Sequence, residues 1–136
     1  MLTAITTSSL FVTDQDEALD FYVGTLGMEV NTDVDLGFMR WLTVSVPGDH
    51  ARQILLELPA PPSMDEATGA EVRQVLSKGA AGGWVGFSTD DARALHAELV
   101  EKGVDITDDP TDRDYGTDFG IRDPFGNKLR IVQRRG

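Results

Sequence analysis

A chain that repeats its own pattern is confined to folds with two like halves, and this chain repeats its pattern once. Ser8–Val30 (SSLFVTDQDEALDFYVGTLGMEV) and Trp84–Ile106 (WVGFSTDDARALHAELVEKGVDI) both read as strand, acidic helix start, amphipathic helix, glycine and strand. Asp14 falls on Asp90 and Gly27 on Gly103 when the second copy is moved back by 76 residues. In each copy an aspartate suits the helix N-cap, and a glycine suits the left-handed position after the last turn. Ala18, Leu19, Tyr22 and Leu26 make one helix face, and Ala92, Leu95 and Leu99 the other. Such faces need a sheet to cover.

The rest of each half supplies that sheet. Phe38–Val46 and Arg52–Leu58 are β-rich runs joined through Pro47-Gly48-Asp49, and Gly116–Arg122 and Lys128–Arg134 are joined across Asp123-Pro124-Phe125-Gly126-Asn127. Each half therefore reads β-α-β-β-β. At 136 residues the chain is one domain, with module one at 1–58, a connector at 59–83 and module two at 84–136. Within the connector Ser63 and Glu66 form a capping box for a helix from about Met64 to Lys78. A single ferredoxin-type β-α-β-β-α-β sandwich is the alternative, but it leaves one strand over in each half.

Charge and composition exclude several classes of function. The net charge of −11 repels phosphate backbones and anionic lipid, which argues against nucleic-acid and membrane partners and biases a ligand toward positive charge. The absence of cysteine removes thiol catalysis, thiolate metal sites and disulfides. The first basic residue is Arg40, so no basic region precedes an early apolar stretch, and no apolar run reaches membrane-spanning length. The expectation is a cytoplasmic protein.

Catalytic signatures are missing: there is no phosphate-binding loop, dinucleotide-binding glycine motif, serine-hydrolase elbow or HExxH pair. The aspartates at 105, 108, 109, 112, 114 and 118 lack the spacing of a calcium loop and read as a solvated acidic loop. His50 belongs to a turn and His96 to the second helix, and neither has a partner at ligand spacing. No metal ligand and no cofactor site is assigned.

The paired modules, the phrase Val12-Thr-Asp-Gln-Asp-Glu-Ala-Leu-Asp-Phe-Tyr-Val-Gly-Thr-Leu-Gly27, the Arg40-Trp41-Leu42-Thr43-Val44 strand and the closing Asp123-Pro124-Phe125-Gly126-Asn127-Lys128-Leu129 resemble the glyoxalase/bleomycin-resistance/extradiol-dioxygenase superfamily, also called vicinal oxygen chelate. The resemblance spans essentially the whole chain. It implies an α+β fold in which two βαβββ modules form a curved, cup-shaped mixed sheet. In the family's metalloenzymes a metal is held from the first and last strands of each module, and those positions fall here at Thr7, Glu57, Trp84 and Arg130. Only Glu57 is a good ligand, because a guanidinium and an indole N–H have no lone pair to offer. The resemblance therefore points to the metal-free, drug-binding branch, whose members sequester a compound in a groove lined by both subunits of a homodimer.

Strand alternation groups Thr7, Ser9 and Phe11, then Met39, Trp41 and Thr43, then Gln53, Leu55 and Glu57, then Trp84, Gly86 and Ser88. The family's ligand positions place these sets on the concave face. Leu10, Val12, Ile54 and Leu56 then face the helices. The expected binding residues are Ser9, Phe11, Met39, Trp41, Glu57, Trp84, Tyr115, Phe119 and Arg130, with Glu57 and Arg130 either paired or holding polar groups of a ligand. The leading function is non-catalytic binding of a bulky, partly aromatic small molecule, such as an antibiotic or other natural product, by a homodimer. Two alternatives remain. One is an enzyme of the same fold with a displaced metal site or acid/base chemistry drawn from Glu57, Tyr115 and the acidic loop, and the other is a scaffold whose cup is filled by its own tryptophans.

Overall fold

A computed structural model describes residues 1–135, and its contacts divide into two compact units, 1–74 and 75–136. The first unit holds β1 (Thr7–Phe11), α1 (Gln15–Leu19), β2 (Glu29–Asp35), β3 (Arg40–Ser45) and β4 (Gln53–Glu57). Its sheet has the order β1-β4-β3-β2, with β1 parallel to β4 and the other neighbours antiparallel. The second unit holds β5 (Trp84–Ser88), α3 (Ala92–Glu101), β6 (Asp105–Arg113), β7 (Gly116–Arg122) and β8 (Lys128–Arg134). Its sheet repeats the plan as β5-β8-β7-β6. Two βαβββ modules, each a four-stranded mixed sheet, are thus present, and the ferredoxin alternative is excluded because every strand finds a place.

The helices form where the sequence places caps. The Asp14 carboxylate accepts the Glu17 N–H at 2.9 Å, and that of Asp91 accepts the Ala94 N–H at 3.0 Å. The second cap is Asp91, one residue after the Asp90 suggested by the repeat. The discrepancy has a structural cause. Thirteen steps separate Asp14 from Gly27, but twelve separate Asp91 from Gly103, and the longer helix runs on from α1 as a π-helical segment, Asp20–Thr25. A π turn takes up one additional residue without breaking the helix. Phe21 and Tyr22 on that segment are buried, with their rings edge to face at 5.0 Å.

The core is not confined to one face of each strand, since Thr43, Ser45 and Leu55 are buried along with their neighbours on β3 and β4. Val12, Leu42, Val44, Ile54 and Leu56 are buried in module one, and Phe119, Ile121, Leu129 and Ile131 in module two, with Ala18 and Tyr22 or Ala92 and Leu99 from the helices. Burying each large side chain stabilises the fold by roughly 1.5–3 kcal/mol before entropy is counted. At one end of module one, Gln15 bridges β3 and β4, its amide donating to the carbonyls of Arg40 and Leu56 at 3.2 and 2.9 Å.

Turn chemistry also follows the residues. Gly48 has φ of 84°, and the Asp49 N–H returns to the Val46 carbonyl at 2.9 Å, so Pro47-Gly48 is a type II turn. The Asp123 carboxylate collects the N–H groups of Phe125, Gly126 and Asn127 at 2.8–3.0 Å, which fixes the β7–β8 turn.

The connector helix α2 (Glu66–Ser77) is capped by Asp65, whose carboxylate accepts the Thr68 N–H at 2.7 Å, and not by Ser63 as the capping box suggests. The Ser63 hydroxyl lies 3.4 Å from Glu57 Oε1. The helix is shared between the units. Gly69 lies against the Pro59 carbonyl in the first, while in the second Arg122 donates to the Ser77 carbonyl at 3.2 Å, where a cation complements the helix C-terminus. No helix among the described residues is long and apolar enough to cross a membrane.

Candidate functional site

In module two the face of the sheet away from α3 carries a continuous polar row. The ladder aligns Gly86 of β5 with Arg130 of β8, Arg130 with Gly120 of β7, and Gly120 with Asp108 of β6. The glycines on either side of Arg130 serve close approach. A Cβ on Gly86 would come within 3.0 Å of the Trp84 ring, so the indole lies over that glycine. A Cβ on Gly120 would collide with Thr107, Asp108 and the Arg130 guanidinium, so the guanidinium crosses that strand to reach Asp108.

The guanidinium is held in a fork. Nη1 and Nη2 donate to the two oxygens of Asp108 at 2.9 and 3.1 Å, and Nη2 also lies 3.1 Å from Asp118 Oδ2. Asp118, 4% exposed, is the hub: Arg113 Nε donates to its Oδ1 at 2.9 Å, and the Tyr115 hydroxyl donates to its Oδ2 at 2.6 Å. Burial pushes the Asp118 carboxyl up, but the hydrogen bonds from Tyr115, Arg113 and Arg130 outweigh it and hold the pKa at about 2. The hydrogen bond from Arg130 likewise lowers Asp108, and donation to Asp118 raises the Tyr115 phenol. Two arginines therefore face two ionised carboxylates in a rigid, charge-balanced network.

Trp84 is not part of any core. It is 64% exposed on the same face as Arg130, and Tyr115 at the β6–β7 turn is 47% exposed. Phe119 is corrected from a binding to a core position: it is fully buried on the opposite face, where its ring meets His96 of α3 edge-on at 5.3 Å. The acidic loop is corrected too. Asp105–Arg113 is an edge strand, irregular around Asp108 and tolerant of Pro110 because it lies at the edge.

Module one presents a less polar face. Ser9 is exposed, while Phe11, Trp41 and Glu57 are half-buried, and Glu57 is paired in register with Phe11. Met39 precedes β3 and lines, with Asp33, Asp35, Gly37, Phe38 and Arg40, a hollow of about 380 Å³ at the β2–β3 turn. Arg40 is tied there to Asp33 and Asp16 at 2.8–2.9 Å. The ladders also show that Glu57 and Arg130 are not equivalent. Glu57 is aligned with the last residue of β1, whereas Arg130 is aligned with the middle residue of β5.

These residues do not fit a divalent cation. At Arg130 a guanidinium already supplies the positive charge and takes up the nearest carboxylates, and no group of three or more potential ligands is found among the described residues. Elemental analysis after dialysis against excess Mn²⁺ or Zn²⁺ is expected to find well under one ion per chain, and a stoichiometric ion would overturn this.

Sequence reasoning left Arg113 and Gly120 unassigned and read Asp108 and Asp118 only as members of a solvated acidic loop. Alternation along Gly116–Arg122 carries the signal, since it sets Asp118 and Gly120 together on the face opposite the apolar Phe119 and Ile121.

The chain is similar to known proteins over nearly its whole length. The uncharacterized protein YurT of Bacillus subtilis (strain 168) is 34% identical over 131 residues, covering 96% of this chain and 98% of its own. The crystal structure of UcmS2 is 33% identical with a TM-score of 0.91, covering 98% of this chain and 99% of that one. TnmS3, an antibiotic binding protein from Streptomyces sp. CB03234, is 29% identical with a TM-score of 0.76, covering 98% of each chain. The family model that matches residues 4–131 agrees with the paired modules, and the chain belongs to the Glyoxalase/Bleomycin resistance protein/Dioxygenase superfamily.

Proposed function

We propose that this protein binds a bulky, partly aromatic small molecule, an antibiotic or related natural product, without transforming it, and that it does so as a homodimer. The observation that carries this reading is the exposed Trp84 indole beside the fixed Arg130 network. A large aromatic surface left in water, next to convergent and preorganised polar groups, is how small-molecule sites are built. The likeness to TnmS3 supports the ligand class. Self-association is supported by the apolar Leu36 and Phe38, which stand exposed at the β2–β3 turn.

Tryptophan fluorescence tests the reading. A panel of aromatic antibiotics is expected to include compounds that quench the native emission, and Trp84→Ala should abolish most of that response. Because Trp84 is largely exposed, the same substitution should change stability by less than about 1 kcal/mol. Failure of every compound to quench, together with severe destabilisation by Trp84→Ala, would return Trp84 to a structural role.

A further inference from the structure

We infer that module two selects a flat aromatic ligand of at least two fused rings with an acceptor oxygen, carbonyl or carboxylate, at one end, and that Arg130 is the selecting donor. The inference rests on the binding reading above and gives its ligand a chemistry.

Hydrogen-bond accounting supplies the polarity of the ligand. The acceptors of the site are already engaged: Asp118 Oδ1 by Arg113, Asp118 Oδ2 by Tyr115 and Arg130, and both oxygens of Asp108 by Arg130. Donors are left over. Arg130 Nε and the Trp84 indole N–H have no hydrogen-bond partner among the described residues, and the Arg130 side chain is 26% exposed. A partly buried donor gains most when a guest supplies the missing acceptor. Lys128 and Arg134 alternate with Arg130 along β8 and form no ion pair among the described residues, so further positive charge lies on this strand. The net charge of −11 is therefore a misleading guide here, because it favours a cation while the local site favours an acceptor.

The ladder supplies the length. The Trp84 ring lies over Gly86 and the guanidinium tip over Gly120, and these glycines flank β8 in one row. Two strand spacings are about 10 Å. The free Nε precedes that tip along the Arg130 side chain, between one and two strand spacings from the Trp84 ring, and a fused bicycle stacked on the indole with a terminal oxygen spans that distance.

Isothermal titration with 2-naphthoate, benzoate and 2-naphthylmethylammonium in physiological salt tests both features. The naphthoate is expected to bind at least tenfold more tightly than either of the others. Arg130→Lys keeps the charge but loses Nε and the fork, and is expected to weaken naphthoate about tenfold without weakening the ammonium compound, since the carboxylates that the fork engages are partly released. Circular dichroism confirms that the variant is folded, and Trp84→Phe should lower naphthoate affinity with Arg130 intact. Equal or tighter binding of benzoate or the ammonium compound, or an unchanged naphthoate affinity in Arg130→Lys, would overturn the inference. Absence of binding by all three probes while an antibiotic still quenches Trp84 overturns this inference alone. Absence of any quenching overturns the binding reading as well.

Discussion

Asp118→Ala is expected to lower the stability of the protein by about 2–3 kcal/mol, because it leaves two arginines and a phenol without their shared acceptor. The loss is placed below the largest values for buried pairs because Arg113 is 44% exposed and rehydrates. Urea unfolding is the measurement, read as a lower midpoint at unchanged slope. The same residue sets a pH dependence. Its folded pKa of about 2 lies below the ordinary carboxylate value near 4, so its stabilisation is complete above about pH 4 and is lost as pH falls toward 2. Asp118→Asn lacks this titration and should show a shallower loss of stability over that window. An acid profile identical to that of the native protein would show that the hub contributes nothing.

Gly126→Ala is expected to cost about 3 kcal/mol or more, a large share of the roughly 5–15 kcal/mol that holds a domain folded. Two penalties combine. Gly126 has φ of 116°, a conformation that strains any residue with a Cβ, and that Cβ would fall on the Leu76 carbonyl oxygen, a backbone atom with little room to move. The end of α2 is then pushed from the β7–β8 turn. Denaturant unfolding and hydrogen exchange at Lys78–Ala80, whose N–H groups bond to Val75 and Leu76, report the effect. A change below about 1 kcal/mol would mean that the turn shifts freely, against the three N–H bonds that Asp123 makes within it.

The modules were legible in the sequence because strand alternation, two aspartate caps and two glycine stops agree with one another. The site was legible only in part. Trp84 and Arg130 stand out as residue types that suit a pocket wall, but their relation depends on which residues are neighbours across strands, and that register is a non-local property. Phe119 shows the same limit from the other side: its type suits a pocket wall, but its position puts it under α3. The run of aspartates misled because composition reads it as solvated, whereas arginines from β8 and the end of β6 draw two of its members into a network. Tyr115 and Arg113 lie three and five residues before Asp118, but the Arg130 that joins Asp108 to it comes from another strand 22 residues beyond Asp108.

The π-helical segment has a further bearing on how the two halves are compared. Any alignment of one half on the other needs a gap inside the helix, between the caps Asp14 and Asp91 and the glycines Gly27 and Gly103. A role carried from module to module by a constant offset is therefore right on one side of Asp20–Thr25 and shifted by one residue on the other. On a strand, a slip of one residue turns a side chain to the opposite face. The widened turn takes up the difference in length between the copies, and it makes correspondence between them a matter of ladder pairing and not of counting.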